Sequence, residues 1–180
     1  MSAVLCTSSG GAFMKAISHS EILIDSVLAL CNREQYGIGA QAINMLKFEG
    51  NVSHPNVSIW PSVFSGMAVI VNRATPAHRD KGASPPVFDL LASFGTHVSA
   101  TISMPDIQAD LSYAPGTIVL VCGRVLRHEV QIWEGGERIC MAHYMRDNVH
   151  NRLGLPRPGW VNMNTYHALI DEGYRSRQGL

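Results

Sequence analysis

The feature that most constrains this fold is a change of pattern near Asn51. Upstream of it apolar residues recur at helical spacing. Downstream, Pro55, Pro61, Pro76, Pro85, Pro86, Pro105 and Pro115 cut the chain into short runs rich in Val and Ile. Proline removes a backbone donor and fixes φ, so helices cannot run through such a region, whereas short strands joined by turns can. Helices first, then many short strands with some long connections, predict an α+β domain with a β-sandwich or jelly-roll core.

Residues 1–17 are small and Gly/Ser-punctuated, and read as a flexible lead-in to a single domain over 18–180. Ser18 with Glu21 forms a capping-box pattern ahead of Ile22, Leu23, Val27 and Leu30, which predicts a first helix. Asn32 and Gln35 repeat that signal ahead of Tyr36, Ala40, Ile43 and Leu46, although Gly37 and Gly39 weaken this second helix. Residues 67–72 read as a buried strand. Val98, Ala100, Ile102 and Met104 alternate with polar neighbours as a second, and 117–122 and 125–133 follow. Gly135-Gly136 suggests a hairpin from 125–133 into a last strand over 138–145. Residues 87–91 fit a strand or a helical turn.

Fourteen basic side chains balance fourteen acidic ones, so the whole molecule has no field that draws it to a polyanion. Six arginines over 138–180 form at most a weak local patch, better read as solvated surface. Cys6, Cys31, Cys122 and Cys140 form no C-x-x-C pair, which argues against a zinc knuckle or a disulfide framework. No run approaches a membrane span, and the start lacks signal-peptide order. These readings predict a soluble intracellular protein, nuclear or cytoplasmic, with no membrane association and no obligate protein partner evident.

Chemistry concentrates at His78-Arg-Asp80, which directly follows the 67–72 strand. Alternating backbone points both side chains to one side. Two imidazoles and one carboxylate on one face of an ion leave three adjacent positions free, which suits Fe(II) that must admit a co-substrate and dioxygen. The best candidate for the second imidazole is His128, in a strand far along the chain, with His97 as competitor. Arg138 helps to decide, because a 2-oxoglutarate oxygenase needs a cation for the far carboxylate, preferably a bidentate guanidinium. A hairpin pairing 128 with 142 sets 138 opposite 132, about 13 Å along the strand from His128 and on its face. A strict two-residue turn pairs His128 with His143 and turns Arg138 away, so this reading requires a three-residue loop or a bulge.

Around these residues the chain resembles the TET/JBP group of nucleobase dioxygenases, most closely its fungal members. The similarity runs through Trp60-Pro-Ser-Val-Phe-Ser-Gly-Met-Ala-Val-Ile-Val-Asn-Arg73, Thr75-Pro-Ala-His-Arg-Asp80, Phe88-Asp-Leu-Leu91, Tyr113-Ala-Pro-Gly-Thr117 and Gly123-Arg-Val-Leu-Arg-His128, then through 136–147. The resemblance implies a double-stranded β-helix in which His78, Asp80 and His128 bind Fe(II) and Arg138 binds 2-oxoglutarate. Asn72 and Arg73 match a fungal pair beside the site, with Arg73 a second co-substrate contact. It implies a dioxygenase that oxidises methyl groups on DNA bases, 5-methylcytosine and also N6-methyladenine, giving succinate and CO2. Methylated DNA is then the expected substrate partner, with the base flipped into the pocket. The cysteine-rich zinc region of animal TET proteins is lacking, and Ala83 or Ser84 stands where they carry an asparagine. The rival readings are the same chemistry on a protein or small molecule, and a non-catalytic β-helix module.

Among the remaining residues, Trp60, Phe64, Phe88 and Phe94 read as packing, His54, His150 and His167 as surface, and His143 as facing away from Arg138. Gly116 and Gly123 read as turn glycines.

Overall fold

The structure is a computed structural model that describes residues 4–48 and 55–178. Three helices lead: α1 (Ser8–Ala16), α2 (Ser18–Cys31) and α3 (Arg33–Phe48). Where the sequence suggested a loose lead-in, α1 forms because the Thr7 hydroxyl caps the Gly10 N–H at 3.1 Å, and Met14 is fully buried beneath it. Helix α2 starts where the capping-box pattern places it, but by other means. Ile17 precedes it without a side-chain cap, and Glu21 turns inward to His143 instead of back to the helix end. The cap on α3 does form, with Asn32 Oδ1 accepting from the Gln35 N–H at 3.0 Å.

Among the described residues nine strands form two antiparallel sheets. β1 (Gly66–Val71), β9 (Arg138–Tyr144), β3 (Asp89–Gly95) and β6 (Ile118–Val121) make one in the order β1-β9-β3-β6. β2 (Thr75–His78), β7 (His128–Val130), β4 (Ser99–Met104) and β5 (Ala109–Ser112) make the other in the order β2-β7-β4-β5, with β8 (Trp133–Glu134) also on β4. Alternation sorts the first sheet's side chains. Leu90, Ala92, Ile118 and Leu120 pack under Ile24 and Leu28 of α2. Leu91, Val119, Val121, Cys140 and Ala142 face Ile102, Met104 and Val130 of the second sheet. Each fully buried aliphatic of this kind contributes roughly 1.5–3 kcal/mol. This helix-backed two-sheet sandwich is the expected jelly-roll architecture. Two further helices, α4 (Asp147–Leu153) and α5 (Met163–Gln178), follow β9.

Two further expectations need correction. Residues 67–72 are an edge strand, with Val69 and Val71 about half exposed. The expected hairpin between 125–133 and 138–145 does not exist: β7 pairs with β2 and β4, and β9 with β1 and β3. The strand is interrupted after Val130, β8 resumes beside β4, and Gly135-Gly136, both at positive φ, carries the chain across to the other sheet. No bulge is needed to aim Arg138 inward.

Candidate metal centre and co-substrate pocket

β2 and β7 pair antiparallel with His78 directly opposite His128, so backbone register alone sets the two imidazoles side by side, ring centroids 4.4 Å apart. Asp80 follows β2 and is anchored by its N–H to the Gly123 carbonyl at 2.8 Å. Its carboxylate oxygens stand 3.7 Å from His78 Nε2 and 3.5 Å from His128 Nε2. Donor atoms about 2.1 Å from one ion at right angles lie about 3 Å apart, so a small contraction closes this set on a divalent metal.

The backbone orients both rings. His78 Nδ1 lies 2.9 Å from the Pro76 carbonyl and His128 Nδ1 3.2 Å from that of Leu126. A carbonyl only accepts, so each Nδ1 carries the hydrogen and each Nε2 presents its lone pair to the shared centre. Burial holds the His128 pKa below the ordinary imidazole value, which keeps it in its neutral, ligating form. Among the described residues His78, Asp80 and His128 are the group able to hold a metal.

These three side chains line a cavity of about 260 Å³ between the sheets, and Arg138 lines it too. That side chain is 1 % exposed, donates from Nη1 to the Arg73 carbonyl at 3.1 Å, and leaves Nε without a partner. No carboxylate pairs with it among the described residues. Its charge is faced instead by the rings of Tyr113 and Trp133, 5.5 and 5.9 Å from the guanidinium carbon. A buried guanidinium without a counter-ion is costly and fits an anionic guest. The residues therefore suit both an Fe(II) ion and a dicarboxylate.

Asn72 and Arg73 do not line this cavity. Asn72, at φ 47°, exchanges backbone and side-chain hydrogen bonds of 2.8 Å each with the Arg138 main chain, and Arg73 contributes its carbonyl. His97 is buried against the Tyr113 carbonyl at 3.2 Å, apart from the ligands. His143 lies on the helical side with Glu21, as its parity predicted. His150 is buried rather than on the surface, its Nδ1 3.1 Å from the Pro156 carbonyl, while His167 is exposed and His54 lies outside the described residues.

Asp89, which the sequence reading passed over, is buried in the cavity wall with both oxygens unpartnered. Burial, reinforced by the charge of Asp80 and opposed by that of Arg146, raises its pKa to about 8. Its parity with Leu91 on an inward-facing strand was the available signal. Gly123 is needed for space, not for an unusual φ: a Cβ there would collide with carboxylate oxygens of both Asp80 and Asp89. Gly116 does sit at positive φ, 88°.

A two-sheet sandwich carrying two histidines and an aspartate beside a buried arginine defines the class of mononuclear iron oxygenases that use 2-oxoglutarate. Residues 11–147 match the Tet_JBP family, described as the oxygenase domain of the 2OGFeDO superfamily, and the chain belongs to that family. It is thus an oxygenase domain of a superfamily that uses Fe(II) and 2-oxoglutarate. No curated protein matches the sequence. Among solved structures the fold is similar to NgTET1 in complex with 5mC DNA, at a TM-score of 0.62 and 15 % identity. That likeness covers 95 % of this chain and 63 % of the other, so this chain spans less than two thirds of its neighbour's length. No described helix is long and apolar enough to cross a membrane.

Proposed function

We propose that this chain oxidises a methyl group on a nucleobase in DNA, 5-methylcytosine first and N6-methyladenine as a second substrate, giving succinate and CO2. The observation that carries the site assignment is Arg138, a buried cation without a carboxylate partner in the same cavity as His78, Asp80 and His128. The family and the 5mC DNA bound by the similar NgTET1 support the nucleobase.

In this reading His78, Asp80 and His128 hold Fe(II), and Arg138 grips the far carboxylate of 2-oxoglutarate through paired donors. The metal and co-substrate together supply the oxidant for a C–H bond, with decarboxylation to succinate. Asn72 and Arg73 position Arg138 through the backbone and make no contact with the co-substrate themselves. Ala83, small and beside the ligands, leaves room for a planar ring. Asp89 meets the hydrogen-bonding edge of that ring with its two unpaired oxygens. A methyl group stacked inside a duplex is shielded from a metal seated in this cavity, so the base is extruded.

The test is incubation with Fe(II), 2-oxoglutarate and oligonucleotides carrying either methylated base, followed by nucleoside mass spectrometry. Oxidised methyl groups matched by succinate are expected. Succinate formed while both bases stay unchanged would refute the nucleobase substrate and favour a protein or small molecule.

A further inference from the structure

Although the chain sums to zero charge, its cations are not spread evenly around the cavity. Lys81, Arg124 and Arg146 come from three separate segments: the stretch after β2, the β6–β7 connection and the end of β9. Lys81 and Arg146 line the mouth of the cavity, and Arg124 is tied to it by an Nη1 hydrogen bond to the Lys81 carbonyl at 3.3 Å. The Arg146 guanidinium lies over the Tyr144 ring, 4.5 Å from its centroid, and crosses Gly82 so closely that a Cβ there would meet Nη1 at 2.5 Å. All three side chains are exposed, and none has an ion-pair partner among the described residues.

None of the nearby acids among the described residues forms an ion pair with them: Asp80 stands with His78 and His128, Asp106 is taken by Arg79 at 2.9 Å, Asp89, whose charge Arg146 feels, is buried in the cavity wall, and Glu129 lies on the lining bonded to Gln131. Arg79, inside the His78-Arg-Asp80 triplet, is thereby spent on holding the loops together, with a second bond to the Val125 carbonyl at 2.8 Å. Of the other C-terminal arginines, Arg138 is buried and Arg157 pairs with Asp147.

We propose that Lys81, Arg124 and Arg146 form a phosphate-binding rim that seats the sugar–phosphate backbone of a nucleic acid while one of its bases enters the cavity. Two unpaired cations on the cavity lining, with a third beside Lys81, suit a chain of regularly spaced anions, and an Arg stacked on an aromatic ring is held ready without a counter-ion. This inference rests on the nucleobase reading, and its test is independent of turnover.

The measurement is fluorescence anisotropy of an unmethylated, fluorescein-labelled 12-base-pair duplex with metal-free protein, titrated between 50 and 200 mM KCl. Each of Lys81→Gln, Arg124→Gln and Arg146→Gln is expected to lower the slope of log affinity against log salt by about one, and the triple variant by about three. Arg124→Lys and Arg146→Lys keep the slope, as does Lys15→Gln on α1. Equal melting temperatures and 2-oxoglutarate affinities establish that the variants are folded. A triple variant with the wild-type slope, a wild type that binds no duplex at 50 mM salt, or displacement by polyglutamate at equal charge concentration would overturn the rim. Slope loss in the variants with methylated bases left unoxidised upholds the rim and sinks the methyl-oxidation reading; oxidised bases with an unchanged slope do the reverse.

Discussion

Two residues decide whether the cavity works, and each gives a prediction with an unusual signature. Arg138 is a buried cation whose guest is absent from the free protein, so its removal should separate binding from stability. Arg138→Leu is expected to raise the dissociation constant for 2-oxoglutarate at least 30-fold, about 2 kcal/mol or more, because the far carboxylate loses a buried cation on the cavity wall. The same substitution should leave the free protein as stable or about 1 kcal/mol more stable, because a desolvated charge with an orphaned Nε disappears. Calorimetric titration and thermal melting together check this, and a variant that merely melts early speaks for packing. Gly123 stands against Asp80 and Asp89 with no room for a methyl group. Gly123→Ala should therefore displace the Asp80 carboxylate and weaken Mn(II) or Fe(II) binding about 10- to 100-fold in a metal titration.

At the scale of elements, the helices cover the outer face of the β1-β9-β3-β6 sheet, and α3 approaches the loop before β1 closely at a glycine. Gly39 of α3 lies where a Cβ would meet the Val63 carbonyl at 2.7 Å and would press on Met145. Gly39→Ala, an improvement by helix propensity, should instead destabilise by about 1–3 kcal/mol in denaturant unfolding. A stabilised variant would show that α3 can shift at no cost. This residue also marks where sequence reasoning reaches its limit. The apolar spacing of α2 and α3 was legible because helical faces are local. The reason for a glycine in α3 was not, because the neighbour lies in a distant loop. Ser18 and Glu21 matched a capping pattern by spacing, yet Glu21 was recruited by His143, more than a hundred residues away. The connection through Gly135-Gly136 failed in the same way. A Gly-Gly turn between two apolar runs is a hairpin signal, but an exposed Ile132 and a strand break after Val130 let β8 leave for β4. Arg138 still points inward, because β9 faces His128 across the sandwich instead of lying beside it.

For the whole molecule, the clustering of His78, Asp80 and His128 was legible because metal-ligand chemistry restricts residue type, and a distal His in a strand can be brought to an earlier His-x-Asp by any sandwich. The cationic rim was not, because a sum of charges carries no positions, and Asp89 was not, because the strand assignment that gives it parity was open. Asp89 supplies the last prediction, in the pH dependence of the metal-free protein. Its folded pKa, about 8, lies above the unfolded value of 3.8, so the native state holds an extra proton between those limits. The stability this confers is complete below about pH 3.8 and is lost as pH rises through about 8. Asp25, raised to about 6 chiefly by burial, adds a decline of the same sign that ends near pH 6. His128, whose pKa is lowered, has the opposite sign: it adds stability as pH rises toward its unfolded value of 6.5, and then stops. The thiols of Cys122 and Cys140, both raised by burial, enter only near pH 9 and above. Between pH 6.5 and 8 Asp89 therefore contributes a decline of about 1.5 kcal/mol. Urea unfolding of chelator-treated protein should show that loss in the wild type and a profile shallower by that amount in Asp89→Asn, whose amide cannot titrate. Parallel declines in both proteins would mean that Asp89 is already ionised at neutral pH and that another group carries the slope.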